Sequence, residues 1–331
     1  MRLPFPRALR SPAVLARDLG GLTLYGPAGA LLGRLPRPAL VAAAAAAAGL
    51  DRRLRSTDAG EMREELARLF CDRPLPDRAD RIVEEAFRIA LLNALEVARY
   101  PWLGPDTIDA VCAIEGREHL DAALAKGRGA IVLTGHYGAH QMVMPALGHR
   151  GYPVSQLSAP PTVWAGILAD TRTTPLWERV LARRWALEQR LPVRHVDVFR
   201  FLRPAYRCLE QNEVLGLAFD GGGGTRWTQV RILARTANVS TQPARLWRAT
   251  GAALVPARVE RPRGSPRHRL VLEPALEGSP SGSLQADLQA FADRFSTWVA
   301  RRPEAWLPFL LLRRRMRGSD PRPLFEAPTA G

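Results

Sequence analysis

The stretch VLTGHYGAHQMVM, residues 132–144, gathers the side chains best suited to chemistry: His136, His140 and Gln141, with Gly135 and Gly138 among them. An imidazole is the side chain whose ordinary proton affinity fits general-base work near neutral pH. His136 leaves the apolar run AIVLTG and precedes HQMVMPALGHRG, which reads as a helix with a glycine stop. That placement sets the ring beside the positive end of a helix dipole, which disfavours imidazolium and keeps the ring available as a base. The competing reading is a loop histidine that only bonds backbone. Gln141 can hydrogen-bond a ring nitrogen and fix its tautomer, but it offers no charge to an imidazolium. A second polar point, Asp220, ends the apolar run EVLGLAFD and is followed by GGGGTRW, which carries Thr225 and Arg226. Glycines there let backbone or substrate approach closely, although an aspartate before glycines also caps turns.

The elements that must position these residues read as alternating strands and helices. Residues 58–73 and 77–100 carry apolar side chains at three-and-four spacing behind aspartates, the pattern of amphipathic helices. TIDAVCAIEG reads as a strand, REHLDAALAKGRG as a short helix and AIVLTG as the strand that delivers His136. Further along, YPVSQLSA and VRHVDVF read as strands, with an arginine-rich helix over 176–191 and another over 203–212. EVLGLAFD, TQVRILART, AALVPARVE and RHRLVLEPAL read as strands, QPARLWRAT as a helix stopped by Gly251, and SLQADLQAFADRFSTWVARRP as a long helix. The expectation is an α/β fold with a mostly parallel central sheet flanked by helices and preceded by an N-terminal helical segment. In such sheets chemistry collects beyond the carboxyl ends of the strands, where both His136 and Asp220 fall. The chain divides into an apolar and basic segment over 1–55, one α/β domain over 56–317 and a proline-rich tail over 318–331 read as disordered.

Composition narrows the class. With 331 residues and 47% hydrophobic content the chain can bury a large core. Its formal net charge of +15 rests on arginine, Lys126 being the single lysine, and favours acidic partners: anionic lipid or an acidic carrier protein. No nucleic-acid-binding motif accompanies the charge, so nucleic acid is not expected. Cys71, Cys112 and Cys208 are widely spaced, which fits a reducing cytosol and neither a zinc site nor a disulfide framework. Residues 22–50 are rich in apolar and small side chains but are broken by Arg34, Pro36, Arg37 and Pro38, and neither piece reaches the roughly 20 residues that span a bilayer. They read as a surface helix or as a segment resting in the membrane interface. GGGGTRW lacks the lysine and hydroxyl of a P-loop, and no G-x-S-x-G elbow of a serine hydrolase is present.

The order Gly135-His136-aromatic-Gly138-small-bulky, followed by a sixth position, resembles the H-x4-[D/E] motif of the lysophospholipid acyltransferase superfamily, and more narrowly its bacterial lipid A late acyltransferase branch. IEGREHLDAALAKGRGAIVLTGHYG resembles that branch's approach to the histidine. RILARTANVSTQPARLWRATGAALVPARV resembles its later segment, and RRPEAWLPFLLLRR its C-terminal PEQW element, so that the likeness covers roughly 60–315. What the resemblance implies is a glycerolipid-acyltransferase-like fold and transfer of an acyl chain from an acyl-CoA or acyl carrier protein thioester to a hydroxyl or amine of a lipid or glycolipid. His136 would be the base. The resemblance implies no metal, no cofactor beyond that co-substrate and no covalent intermediate, and it puts the protein at the cytoplasmic face of a bacterial inner membrane, against an anionic surface. Gly135, Gly138, His140, Thr225 and Arg226 would line the substrate site, Arg226 by likeness to the phosphate-holding EGTR element, whose glutamate is missing here.

Three departures bear on activity. Gln141 stands where the family has its acid, and the equivalent amide swap in a serine protease triad costs on the order of 10⁴ in turnover. His140 replaces a tryptophan. LPFLLLRR replaces the histidine and aromatic residues of the branch's C-terminal element. Two readings follow: an enzyme in which Asp220 supplies the missing carboxylate or binds the acceptor, or a degenerate member that binds lipid or serves as a scaffold without turnover.

Overall fold

The computed structural model describes residues 12–167, 174–200, 202–262, 265–277, 282–314 and 323–325. The N-terminal segment is helical: α1 (Pro12–Leu24), α2 (Pro27–Leu32) and α3 (Arg37–Leu54) are separated by the glycines and prolines that interrupt the apolar pattern. Then come α4 (Ser56–Leu69) and α5 (Ala79–Val97), the latter burying Ile82, Val83, Ala86, Phe87, Ile89 and Leu92 along one face. Next, α6 (Pro105–Val111) runs into β1 (Cys112–Glu115), α7 (Arg117–Leu124) and β2 (Ala130–Thr134). The stretch TIDAVCAIEG is thus half helix and half strand. Its Ile108 and Val111 lie three apart on a buried helical face, a spacing that β-branched composition masks.

After β2 come α8 (Val143–Gly148), β3 (Val154–Ser158), α9 (Pro161–Ile167), α10 (Pro175–Glu188), β4 (Arg194–Asp197), α11 (Arg203–Glu210) and β5 (Val214–Ala218). β6 (Trp227–Ile232) and β7 (Arg235–Ser240) form an antiparallel hairpin apart from the main sheet. The run TQVRILART therefore turns back on itself, through Leu233 in the left-handed region at φ 52°. The chain closes with α12 (Gln242–Thr250), stopped by Gly251 at φ 67°, then β8 (Ala253–Glu260), β9 (His268–Leu272), α13 (Leu284–Arg301) and α14 (Leu307–Arg314). The expected disordered tail, 318–331, falls mainly outside the described residues. Its described part packs on the hairpin, where Leu324 accepts a hydrogen bond from the Asn238 amide and Phe325 bridges Ala237.

Among the described residues the main sheet has seven strands in the order β1-β9-β8-β2-β5-β3-β4. All neighbours are parallel except β8 and β9, so β1 and β9 run against the other five. Helices cover both faces. Ile131 and Leu133 of β2 join the core packed under α4, α5, α13 and α14, whereas Ala130 and Val132 join the core under α6, α7 and α8. A central strand buried on both faces needs an unbroken apolar run, which is what AIVLT supplies. The carboxyl ends of β2, β5, β3, β4 and β8 all open on one edge, and His136 after β2 and Asp220 after β5 meet there.

Candidate active site

Register brings the two polar points together. Thr134 at the end of β2 lies opposite Ala218 at the end of β5, and the Phe219 amide continues the ladder by donating to the Thr134 carbonyl at 2.7 Å. Two residues beyond the strands, His136 therefore arrives beside Asp220. The Asp220 carboxylate accepts from His136 Nδ1 at 2.8 Å and from the His136 amide at 3.1 Å to each oxygen. Trp306 Nε1 donates to Oδ2 at 2.8 Å. Asp220 is fully buried. Burial pushes its carboxyl up, but the charge and hydrogen bonds of His136 and the Trp306 indole prevail and hold it below the ordinary carboxylate value. A carboxylate accepting at Nδ1 fixes the proton there, so Nε2 presents its lone pair.

The ring is held on its other surfaces too. Phe309, from α14, stacks on it with centroids 3.7 Å apart and planes 3° from parallel, and His140 meets it edge-on at 4.9 Å. His136 keeps 27% of its side chain exposed. The helix-dipole expectation does not hold. Residues 140–142 form a 3-10 turn and α8 begins only at Val143, seven residues after His136, because Gly138 first bridges to Val259 on β8. A carboxylate, not a helix end, is the group that meets this histidine.

Burial pushes the His140 imidazole down to about 3, and the neighbouring His136 adds to the effect. Arg313 on α14 is fully buried nearby; burial lowers its guanidinium to about 10, and the Asp220 charge opposes that shift. Among the described residues no three His, Cys, Asp or Glu side chains are grouped so as to hold a metal ion.

The sequence model described as bacterial lipid A biosynthesis acyltransferase matches residues 9–317. The chain belongs to that family. Phosphatidylinositol mannoside acyltransferases of Mycobacterium tuberculosis, strains H37Rv and CDC 1551, are each 29% identical over 232 residues, covering 68% of this chain and 65% of theirs. The alignment thus spans just under two thirds of the length of these relatives.

Within this member of the lipid A acyltransferase family, Gln141 does not meet His136. Its Nε2 donates to the Asn93 backbone carbonyl on α5 at 2.9 Å, and the Asn93 side-chain Nδ2 in turn donates to the Gly138 carbonyl at 2.9 Å. The two bonds clasp the histidine loop to α5. Gly138 sits at φ 61°, and a Cβ there would lie 2.2 Å from the Val259 carbonyl oxygen; a Cβ on Gly135 would lie 2.3 Å from the Phe295 ring. Both glycines are needed for close packing of the loop. Thr225 and Arg226 are exposed on the loop that leaves Asp220, and the Arg226 carbonyl accepts from the Thr241 amide at 2.9 Å.

Sequence reading missed Asn93, Trp306 and Phe309. Asn93 was visible as the one amide inside the apolar run IALLNALEV. Trp306 lay in the quoted PEAW element without a role. Phe309 stood within LPFLLLRR, which reads as a loss of aromatic residues although one aromatic ring remains against the histidine.

Proposed function

We propose that this protein transfers an acyl chain from an acyl thioester to a hydroxyl or amine of a lipid or glycolipid acceptor, with His136 as general base and Asp220 as its carboxylate partner. The observation that carries this reading is the 2.8 Å contact between His136 Nδ1 and a fully buried Asp220. In the step we envisage, Nε2 takes the proton of the acceptor as its oxygen or nitrogen attacks the thioester carbonyl carbon. The tetrahedral intermediate collapses with cleavage of the C–S bond, and the leaving thiolate takes the proton back from Nε2. Asp220 stabilises the imidazolium that exists between those transfers.

The donor is an acyl-CoA or an acyl carrier protein thioester; the basic surface suits the acidic character of either. Thr225 and Arg226, exposed beyond Asp220, would meet a phosphate or other polar part of a substrate, while Gly135 and Gly138 act by letting the loop pack. The site of action is the cytoplasmic face of the bacterial inner membrane, approached from its anionic surface. Among the described residues no helix is long and apolar enough to cross a membrane. The N-terminal segment instead exposes Leu15, Leu19, Leu31, Leu35, Leu50 and Leu54, with Arg34 lying over the exposed Trp102 at 4.9 Å. Apolar side chains interleaved with arginine are what an interfacial anchor uses.

The test is thiol release from acyl thioesters with a bacterial lipid extract as acceptor, followed by mass spectrometry of the lipids, for wild type and His136→Ala. Release that vanishes in the variant, with an acylated lipid as product, is the expected result. Tight lipid binding by both proteins without release from either would replace the enzyme by a binding protein.

A further inference from the structure

We propose that His140 is a second functional imidazole of this site, whose ring N–H donates a hydrogen bond to the thioester carbonyl oxygen as that oxygen takes up negative charge. The inference rests on the acyl-transfer reading above.

The placement comes first. His140 meets His136 edge-on with ring centroids 4.9 Å apart and planes at 64°. The nucleophile must lie within hydrogen-bond reach of His136 Nε2, and the carbonyl it attacks is bonded to it in the intermediate. The charged oxygen thus forms close to His136, the ring that His140 meets edge-on. Trp306 Nε1, another side-chain donor against the dyad, is spent on Asp220, and Phe309 is apolar. His140 is different: its Nδ1 is buried and has no hydrogen-bond partner among the described residues. A buried ring nitrogen without a partner is a group whose partner arrives with something else.

The electrostatics agree with a donor and disagree with a second base. A protonated His140 beside His136 would oppose formation of the His136 imidazolium that the reaction needs. Burial, reinforced by His136, holds His140 at about 3, so it stays neutral and retains one N–H throughout the working range. A neutral imidazole that stabilises a developing oxyanion needs no proton transfer of its own. The proton balance of the reaction is untouched: His136 takes and returns the only proton that moves. Gln141, the next residue in the same turn, has its amide held on the Asn93 carbonyl.

The test compares His140→Phe, which keeps an aromatic ring without a nitrogen, and His140→Gln, which keeps an N–H donor. Thiol release at varied acceptor concentration and thermal melting are read on the full chain. His140→Phe is expected to lose roughly 100-fold in kcat with KM little changed, and His140→Gln to recover about tenfold of it, the pattern of a donor used in the transition state. Wild-type kcat in His140→Phe overturns the proposal. So does an equal loss in both variants that tracks an equal loss in Tm, which would make the ring a packing element. A wild type that releases no thiol takes away the acyl-transfer reading itself, a failure seen before any variant is compared.

Discussion

Trp306 and Asp220 are joined by a hydrogen bond of 2.8 Å that occupies the carboxylate oxygen less engaged by His136. The indole comes from the turn before α14, and the same helix sends Phe309 onto the His136 ring. The C-terminal element therefore grips both members of the pair. A hydrogen bond to a buried charged group contributes about 1.5–3 kcal/mol. Trp306→Phe keeps the aromatic packing with Phe295 but removes that donor. Its stability is expected to fall by about that amount, with kcat for thiol release falling roughly tenfold as Asp220 loses its fixed orientation. Urea unfolding and steady-state kinetics read the two effects; unchanged kcat would mean that His136 alone fixes the carboxylate.

An acid at position 141, as the H-x4-[D/E] resemblance would have it, is not expected to raise activity. Gln141 donates to the Asn93 carbonyl, and a glutamate there would set a carboxylate oxygen against a carbonyl oxygen. Gln141→Glu should lose about 1–3 kcal/mol of stability with no gain in turnover. Asp220→Asn should instead lower turnover on the order of 10⁴-fold, as amide replacement does where a carboxylate orients a catalytic imidazole. If the ranking came out reversed, with Gln141→Glu faster than wild type, the base would be using position 141 after all.

The sheet was legible because buried parallel strands demand continuous apolar runs, and AIVLT and VLGLA are such runs. His136 and Asp220 were legible as polar residues at the ends of those runs. Their contact was not, since it depends on the register that sets Thr134 opposite Ala218, and residues 84 apart in sequence carry no sign of that register. The hairpin of Trp227–Ile232 and Arg235–Ser240 was hidden because its turn uses Leu233 and not a glycine or asparagine. Asn93 was visible but its partner was not: a polar residue inside an apolar helix face marks a contact but does not say with what.

Gly138 carries two constraints at once. At φ 61° a side chain would strain the backbone, and its Cβ would lie 2.2 Å from the Val259 carbonyl oxygen on β8, which cannot yield as a flexible side chain could. The left-handed conformation alone costs about 1–2 kcal/mol for a residue with a Cβ. Gly138→Ala is therefore expected to lose more stability than that and to lose most thiol release, because the Gly138 amide and carbonyl anchor the loop to Ala305 and Asn93. Gly127→Ala is the matched control: it too has positive φ, but nothing lies within 4 Å of the added Cβ. Equal losses in the two variants would reduce the effect to backbone strain alone.

The buried histidines give the fold an acid-sensitive side. Burial lowers His140 to about 3, and it lowers His268 to about 4 even though Glu96 accepts from that ring at 2.6 Å and pulls the other way; the arginines that share Glu96, Arg261 and Arg37, favour the neutral ring. In the unfolded chain both take up protons near the ordinary histidine value of about 6.5. Between that value and the folded ones the unfolded state binds more protons, so stability rises with pH across the window and is lost as pH falls through it. Glu96, held below its ordinary value by Arg261, His268 and Arg37 against the burial that would raise it, acts in the same direction at still lower pH. Melting temperature should therefore decline from pH 7 to pH 5, and His140→Phe, which has one fewer neutral histidine to protonate on unfolding, should decline less steeply. Parallel pH profiles for the two proteins would show that His140 titrates in the folded protein as it does in the unfolded chain.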